Sequence, residues 1–161
     1  IRGRVAVRGV ETVLKRQERL RKAGAGFGAT TGRPRQCGWF DCVLLRAAVT
    51  VNGLTDLAIN KLDILSGFKE LKINTAYEID GKITEDFPMT LGETERAVPV
   101  YETLPGWDED LTGMTSIEEF PDNARRYVER IESIADVQAT LLSVGPGRDE
   151  TIILRELFAK R

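Results

Sequence analysis

Apolar residues recur at helical spacing in three stretches of the chain. Val10, Val13, Leu14 and Leu20 suit an amphipathic helix that stops near Lys22, because Gly24, Gly26 and Gly28 follow. Val43, Leu44, Ala47, Ala48 and Val51 predict a buried helix, with Asp41 as its N-cap and Gly53 just past its end. Ala124, Tyr127, Val128, Ile131 and Ile134 carry a third helix from Pro121 to about Asp136. Short apolar runs predict strands at Leu57-Ala58-Ile59, from Leu71 to Ile79, from Val137 to Leu142 and from Thr151 to Leu154. Asp80-Gly81 is a hairpin signal leading into Lys82 to Glu85. Residues 86–121, broken by Pro88, Pro99, Pro105 and Pro121 and by several glycines, read as a long irregular connection with at most short strands and turns. Helices alternating with apolar strands indicate an α/β fold, a largely parallel sheet with flanking helices.

The 161 residues are enough for one domain with a sizeable core. A hydrophobic share of 42% is too high for a disordered chain. No apolar run approaches the roughly 20 residues of a membrane helix, and the start lacks the long apolar stretch of a secretory signal. Cys37 and Cys42 lie too close together to frame a small secreted fold, so a reduced, cytoplasmic setting is expected. Packed thiols are the reading for both, since zinc would need further ligands.

Charge is uneven. Residues 1–22 carry eight Lys/Arg against Glu11 and Glu18, while the whole chain is −2. This basic helical head, residues 1–22, precedes a single α/β domain, residues 23–161. A solvated helical face explains the head better than a nucleic-acid arm, because no aromatics interleave with its arginines. The histidine count is zero, which removes the usual acid/base and a common metal ligand near neutral pH.

Three loops carry candidate chemistry. Asn60-Lys61-Leu62-Asp63 leaves a predicted strand, where open α/β sheets bind ligands. A carboxylate there can accept both the N1–H and the N2–H of guanine, which adenine does not offer. A site built to receive such a bond can reject the analogue lacking it by about 10⁴-fold. The stem of Lys61 can lie over a flat base. For an isolated N-K-x-D match, an ordinary polar exit from a strand remains the alternative. Ala29-Thr30-Thr31-Gly32-Arg33-Pro34-Arg35 offers two hydroxyls, backbone amides beside a glycine and two guanidinium forks. That is an anion receptor or a basic surface loop. Ser143-Val144-Gly145-Pro146-Gly147-Arg148 supplies a hydroxyl and a close-approach glycine after a buried strand, which makes either a wall of a base pocket or a simple turn.

Taken in order, the strings FGATTGRPRQCGWFDCVLLR, VNGLTDLAINKLDILSGF, LKINTAYE, LPGW, ARRYVERIE and LSVGPGRDETI resemble the carboxy-terminal third of adenylosuccinate synthetases, from about Leu20 onward. The resemblance implies part of a P-loop-like synthetase domain. It also implies a GTP-dependent, magnesium-dependent ligase of purine synthesis that joins IMP and aspartate to give adenylosuccinate, GDP and phosphate. GTP phosphorylates the 6-oxygen of IMP, and the aspartate amino group displaces phosphate. The loop Ala29, Thr30, Thr31, Gly32, Arg33, Pro34 and Arg35 would then close over aspartate. Arg33 would touch both aspartate and IMP, and Arg35 would reach the GTP side. Lys61, Leu62 and Asp63 would hold guanine, with Ser143, Val144 and Gly145 on its other side. The family is a homodimer.

The family's glycine-rich phosphate loop, catalytic aspartate, catalytic histidine and magnesium ligand have no counterpart in this sequence, and residues 1–19 match poorly. No catalytic residue and no metal ligand is assigned here. The chain reads as a fragment, a divided-enzyme subunit that associates with a chain carrying the amino-terminal part, or a truncated enzyme, and the isolated chain is expected to be inactive. The alternative is a non-catalytic guanine-nucleotide-binding or interaction module.

Overall fold

Residues 18–24, 26, 32–34 and 37–155 are described by a computed structural model of the protein. Residues 18–23 are helical, ending where Gly24 donates its N–H to the Leu20 carbonyl. β1 (Phe40–Asp41) runs straight into α1 (Cys42–Asn52). Asp41 caps that helix, accepting the Leu44 N–H at 2.9 Å, and Gly53 ends it in the left-handed region at φ 60°. β2 (Asp56–Ile59) is followed by a 3₁₀ turn at Asp63–Leu65, then by the ten-residue β3 (Glu70–Ile79) and β4 (Lys82–Thr84) across the Asp80-Gly81 turn. α2 (Leu91–Arg96) and β5 (Val98–Pro105) lead to α3 (Asp122–Ala135), β6 (Gln138–Ser143) and β7 (Thr151–Ile153).

The strands form two sheets. In the first, β3 pairs in parallel with β1 and antiparallel with both β4 and β5. In the second, β2 and β6 are parallel and β7 lies antiparallel to β6. α3 packs against α1, β5 and β6, and so touches elements of both sheets. Its buried residues Ala124, Tyr127, Val128, Ile131 and Ala135 lie three or four apart, which puts them on one face. They join Leu71 and Ile73 of the first sheet and Leu57, Ile59 and Leu142 of the second in one hydrophobic cluster.

The α/β class with flanking helices is as expected, but the sheets are mixed rather than largely parallel. Residues 86–121 also hold more than a long irregular connection. α2 has a full capping box between Thr90 and Glu93. β5 is an eight-residue strand paired along its length with β3. Its prolines are tolerated because, among the described residues, β3 is its sole partner. The outer edge needs no N–H donors. Phe40 of β1 is 36% exposed.

Candidate functional site

β2 and β6 run side by side in the same direction, with Ile59 opposite Leu142. Their carboxyl ends therefore release two loops on the same edge of the sheet, which is where ligands settle in α/β folds. After Ile59 the chain turns through Lys61, which holds φ at 66°, a left-handed conformation uncommon for a lysine. The turn drives Leu62 into the core, 1% exposed, and its N–H donates to the Ser143 carbonyl at 3.1 Å. The two candidate loops are thus joined directly. Asp63 opens the 3₁₀ turn, and the Ser66 N–H closes it on the Asp63 carbonyl at 3.2 Å.

Asp63 Oδ1 is buried and accepts no hydrogen bond. Protein interiors rarely leave such an atom unpaired, because losing water without a replacement donor costs about 1–3 kcal/mol, and more for a charged group. An acceptor held in that condition is suited to donors brought by a ligand. Across from it, the Ser143 hydroxyl donates to the Gly145 carbonyl at 2.8 Å, and Val144 is fully buried with its N–H on the Glu150 carbonyl. Glu150 folds back over this turn and accepts the Gly147 N–H at 2.5 Å. A Cβ at position 145 would meet that carboxylate, so a larger residue there would make the Glu150 side chain move aside.

Lys61 extends in the other direction. Its Nζ donates to the Gly24 carbonyl at 2.7 Å, placing a cation on the carboxyl end of the helical segment 18–23. Asn60, Lys61 and Leu62 line a cavity of about 730 Å³, together with Trp39, Leu57 and Tyr127. Asp63, the Ser143 turn and Arg33 are not among its described lining. Gly32, Arg33 and Pro34 are exposed, with Gly32 at φ 62°. Ala29, Thr30, Thr31 and Arg35 lie outside the described residues. The structure therefore brings Lys61, Leu62 and Asp63 together with Ser143, Val144 and Gly145. Arg33 is not in the described lining that Lys61 and Leu62 share.

Two residues that sequence reading left without a role hold the Asp63 turn in place. The buried Trp107 accepts the Gly67 N–H at 2.7 Å, and its indole N–H donates to the Ser66 hydroxyl at 3.2 Å. Gly106 lies so close to the Phe68 carbonyl that no Cβ fits, and its own carbonyl accepts from the Asn123 amide at 2.8 Å. The signal was the Pro105-Gly106-Trp107 string, whose partners stand some 40 residues away.

A second polar group lies on the first sheet. Asp41 accepts from Asn74 at 3.2 Å and from the Tyr77 hydroxyl, and burial together with that carboxylate raises the Tyr77 phenol. Cys42 beside it is fully buried, and burial first, then Asp41, pushes its thiol up to about 11. Neither cysteine is in a disulfide. Among the described residues no group of three His, Cys, Asp or Glu side chains forms a metal site. No helix among them is long and apolar enough to cross a membrane.

Comparison with known proteins gives one consistent result. The family model described as adenylosuccinate synthetase matches residues 4–152. The adenylosuccinate synthetase of Staphylococcus saprophyticus is 52% identical over 139 residues, which is 86% of this chain and 33% of that protein. The Pelobacter propionicus adenylosuccinate synthetase is 55% identical over 141 residues, or 88% of this chain and 33% of that protein. The structure of fully ligated adenylosuccinate synthetase from Plasmodium falciparum superposes with a TM-score of 0.83 at 31% identity, over 86% of this chain and 34% of that one. The chain spans about a third of the length of the curated relatives it matches.

Proposed function

The chain belongs to the adenylosuccinate synthetase family, and we propose that it is the guanine- and dicarboxylate-recognising third of the GTP-dependent ligase that joins IMP to aspartate in purine synthesis. The observation that carries this reading is the buried, unpaired Asp63 Oδ1 beside the Ser143 turn. Guanine presents two adjacent N–H donors on its Watson–Crick edge, and a carboxylate is the acceptor that can take both. Adenine offers one donor and turns its N1 acceptor toward the carboxylate, so the site prefers GTP to ATP by penalising the wrong base. Lys61, Leu62, Ser143, Val144 and Gly145 frame the base around that contact, and the stem of Lys61 covers its face.

Loop 29–35 serves the other substrates. Its Thr30 and Thr31 hydroxyls and the Arg33 fork grip the aspartate carboxylates, Arg33 also reaches IMP, and Arg35 faces the nucleotide. Arg33 stands at the surface, from which a loop can close over a bound dicarboxylate. Magnesium, which the family reaction implies, finds no fitting ligand set among the described residues, and no step here runs through it. Phosphoryl transfer needs groups that have no counterpart in residues 1–161, so the chain by itself makes no adenylosuccinate. The reading carries with it a cytoplasmic setting and either a homodimer or association with a polypeptide bearing the other two thirds of the family's length.

The test joins the chain with those two thirds, taken from the Staphylococcus saprophyticus relative, and supplies IMP, aspartate, magnesium and either GTP or ATP. Adenylosuccinate is expected to form with GTP in the mixture and not with the chain alone. An Asp63→Asn chain should lower the GTP-over-ATP ratio of kcat/KM. An unchanged ratio in an active mixture contradicts the assignment of Asp63, and turnover by the isolated chain contradicts the division of labour.

A further inference from the structure

The turn that presents Asp63 is gripped from a side that neither candidate loop occupies. The Arg19 guanidinium donates to the Gly67 carbonyl at 3.0 Å and to the Ser66 carbonyl at 2.6 Å. Its central carbon sits 4.3 Å from the centre of the Phe68 ring. Gly67 holds φ at 76°, a backbone conformation that favours glycine, and a Cβ on it would stand 2.6 Å from Arg19 Nη2 and press on the guanidinium. The planar fork of arginine serves two neighbouring carbonyls in a fixed geometry, which the freely rotating donors of a lysine ammonium do not impose.

Ser66 closes the Asp63 turn with its N–H, while its carbonyl is held by Arg19 and its hydroxyl by Trp107. On the other flank of Asp63, Lys61 is tied to Gly24 at the end of the same helical segment that carries Arg19. Both ends of the short stretch around Asp63 are thus anchored to residues 18–24. A buried acceptor without a partner is effective only if it stays where the ligand's donors will arrive, and a displacement of about 1 Å can cost two orders of magnitude at a functional site.

We propose that Arg19 is a positioning residue for base recognition. By fixing the Ser66 and Gly67 carbonyls it sets where the Asp63 carboxylate stands, and through that the affinity and selectivity for a guanine nucleotide, without itself touching the nucleotide. The inference rests on the guanine reading of Asp63.

The experiment titrates the full chain with GDP and with ADP by calorimetry, alongside urea unfolding of each variant. Arg19→Ala is expected to weaken GDP about fivefold, the factor that loss of roughly one net hydrogen bond allows, with ADP unchanged. Arg19→Lys should recover part of the GDP affinity. Lys22→Ala, which breaks an exposed pair with Glu18 at 2.8 Å on the same helix, should match the wild type. Arg19→Ala with wild-type GDP affinity and wild-type GDP/ADP ratio overturns the proposal and leaves the guanine reading intact. An equal loss for both nucleotides, shared by Lys22→Ala, reduces Arg19 to a helix stabiliser and also overturns it. A wild-type chain that binds GDP no better than ADP overturns the guanine reading, and the role of Arg19 falls with it.

Discussion

The two sheets are built from similar apolar strands yet present different opportunities. In the three-stranded sheet, β2 and β6 are parallel neighbours, so the loops that follow them leave from one edge and meet, Leu62 bonding to Ser143. In the other sheet, β3 pairs antiparallel with β4 and β5, and successive connections fall at opposite ends. The Asp41 carboxylate there is fully partnered, although the Oδ1 of Asn74 beside it is buried without a bond. Asp41 accepts from Leu44, Asn74 and Tyr77. By contrast, Asp63 keeps a buried oxygen unpaired. Parallel pairing gathers loop chemistry at one place, and the carboxylate presented there is the one left without a donor.

That contrast can be broken at the seam or at either side. Gly106 follows β5 of the first sheet and presses on the Phe68 carbonyl beside the Asp63 turn. Gly106→Val should cost about 4 kcal/mol, because backbone cannot move aside as a side chain can. Urea unfolding measures this, and a loss below about 1 kcal/mol would show that the seam yields. Asp41→Ala removes a cap and two further bonds from the first sheet alone. It should cost about 2 kcal/mol while leaving the GDP/ADP preference intact.

Asp63→Asn should do the reverse. Stability should hold or rise by up to about 1 kcal/mol, since an ionised oxygen without a donor leaves the interior. Guanine preference should fall at least about tenfold. The smallest effect concerns Cys42, whose raised thiol contributes to stability below the ordinary value of 9.0 and loses that contribution as the pH climbs toward about 11. At about pH 8, iodoacetamide should label it only after unfolding. Fast labelling of the folded chain would place it outside the core.

Local signals in the sequence were read well where one residue decides the geometry. Asp41 and Gly53 bound α1 as caps, Asp80-Gly81 turns β3 into β4, and the periodicity of residues 124–134 marks the face of α3 that reaches the core. β5 was missed because Pro99 and Pro105 look like breakers, a rule that fails at a sheet edge. α2 was missed although Thr90 and Glu93 carry its capping signature. The parallel or antiparallel sense of the sheets is a property of the whole topology, and short apolar runs do not encode it. For the candidate site, Asn60-Lys61-Leu62-Asp63 after a strand was visible as a pattern. The grip on it by Arg19 and Trp107 was not, because those contacts span more than 40 residues of chain.

A crystal structure of the chain soaked with GDP tests the central claim most directly. The account predicts the guanine N1 and N2 atoms within about 3 Å of the Asp63 carboxylate, with the base between Lys61 and the Ser143 turn. A base bound elsewhere, or one seated there while Asp63 Oδ1 stays without a donor, would contradict it.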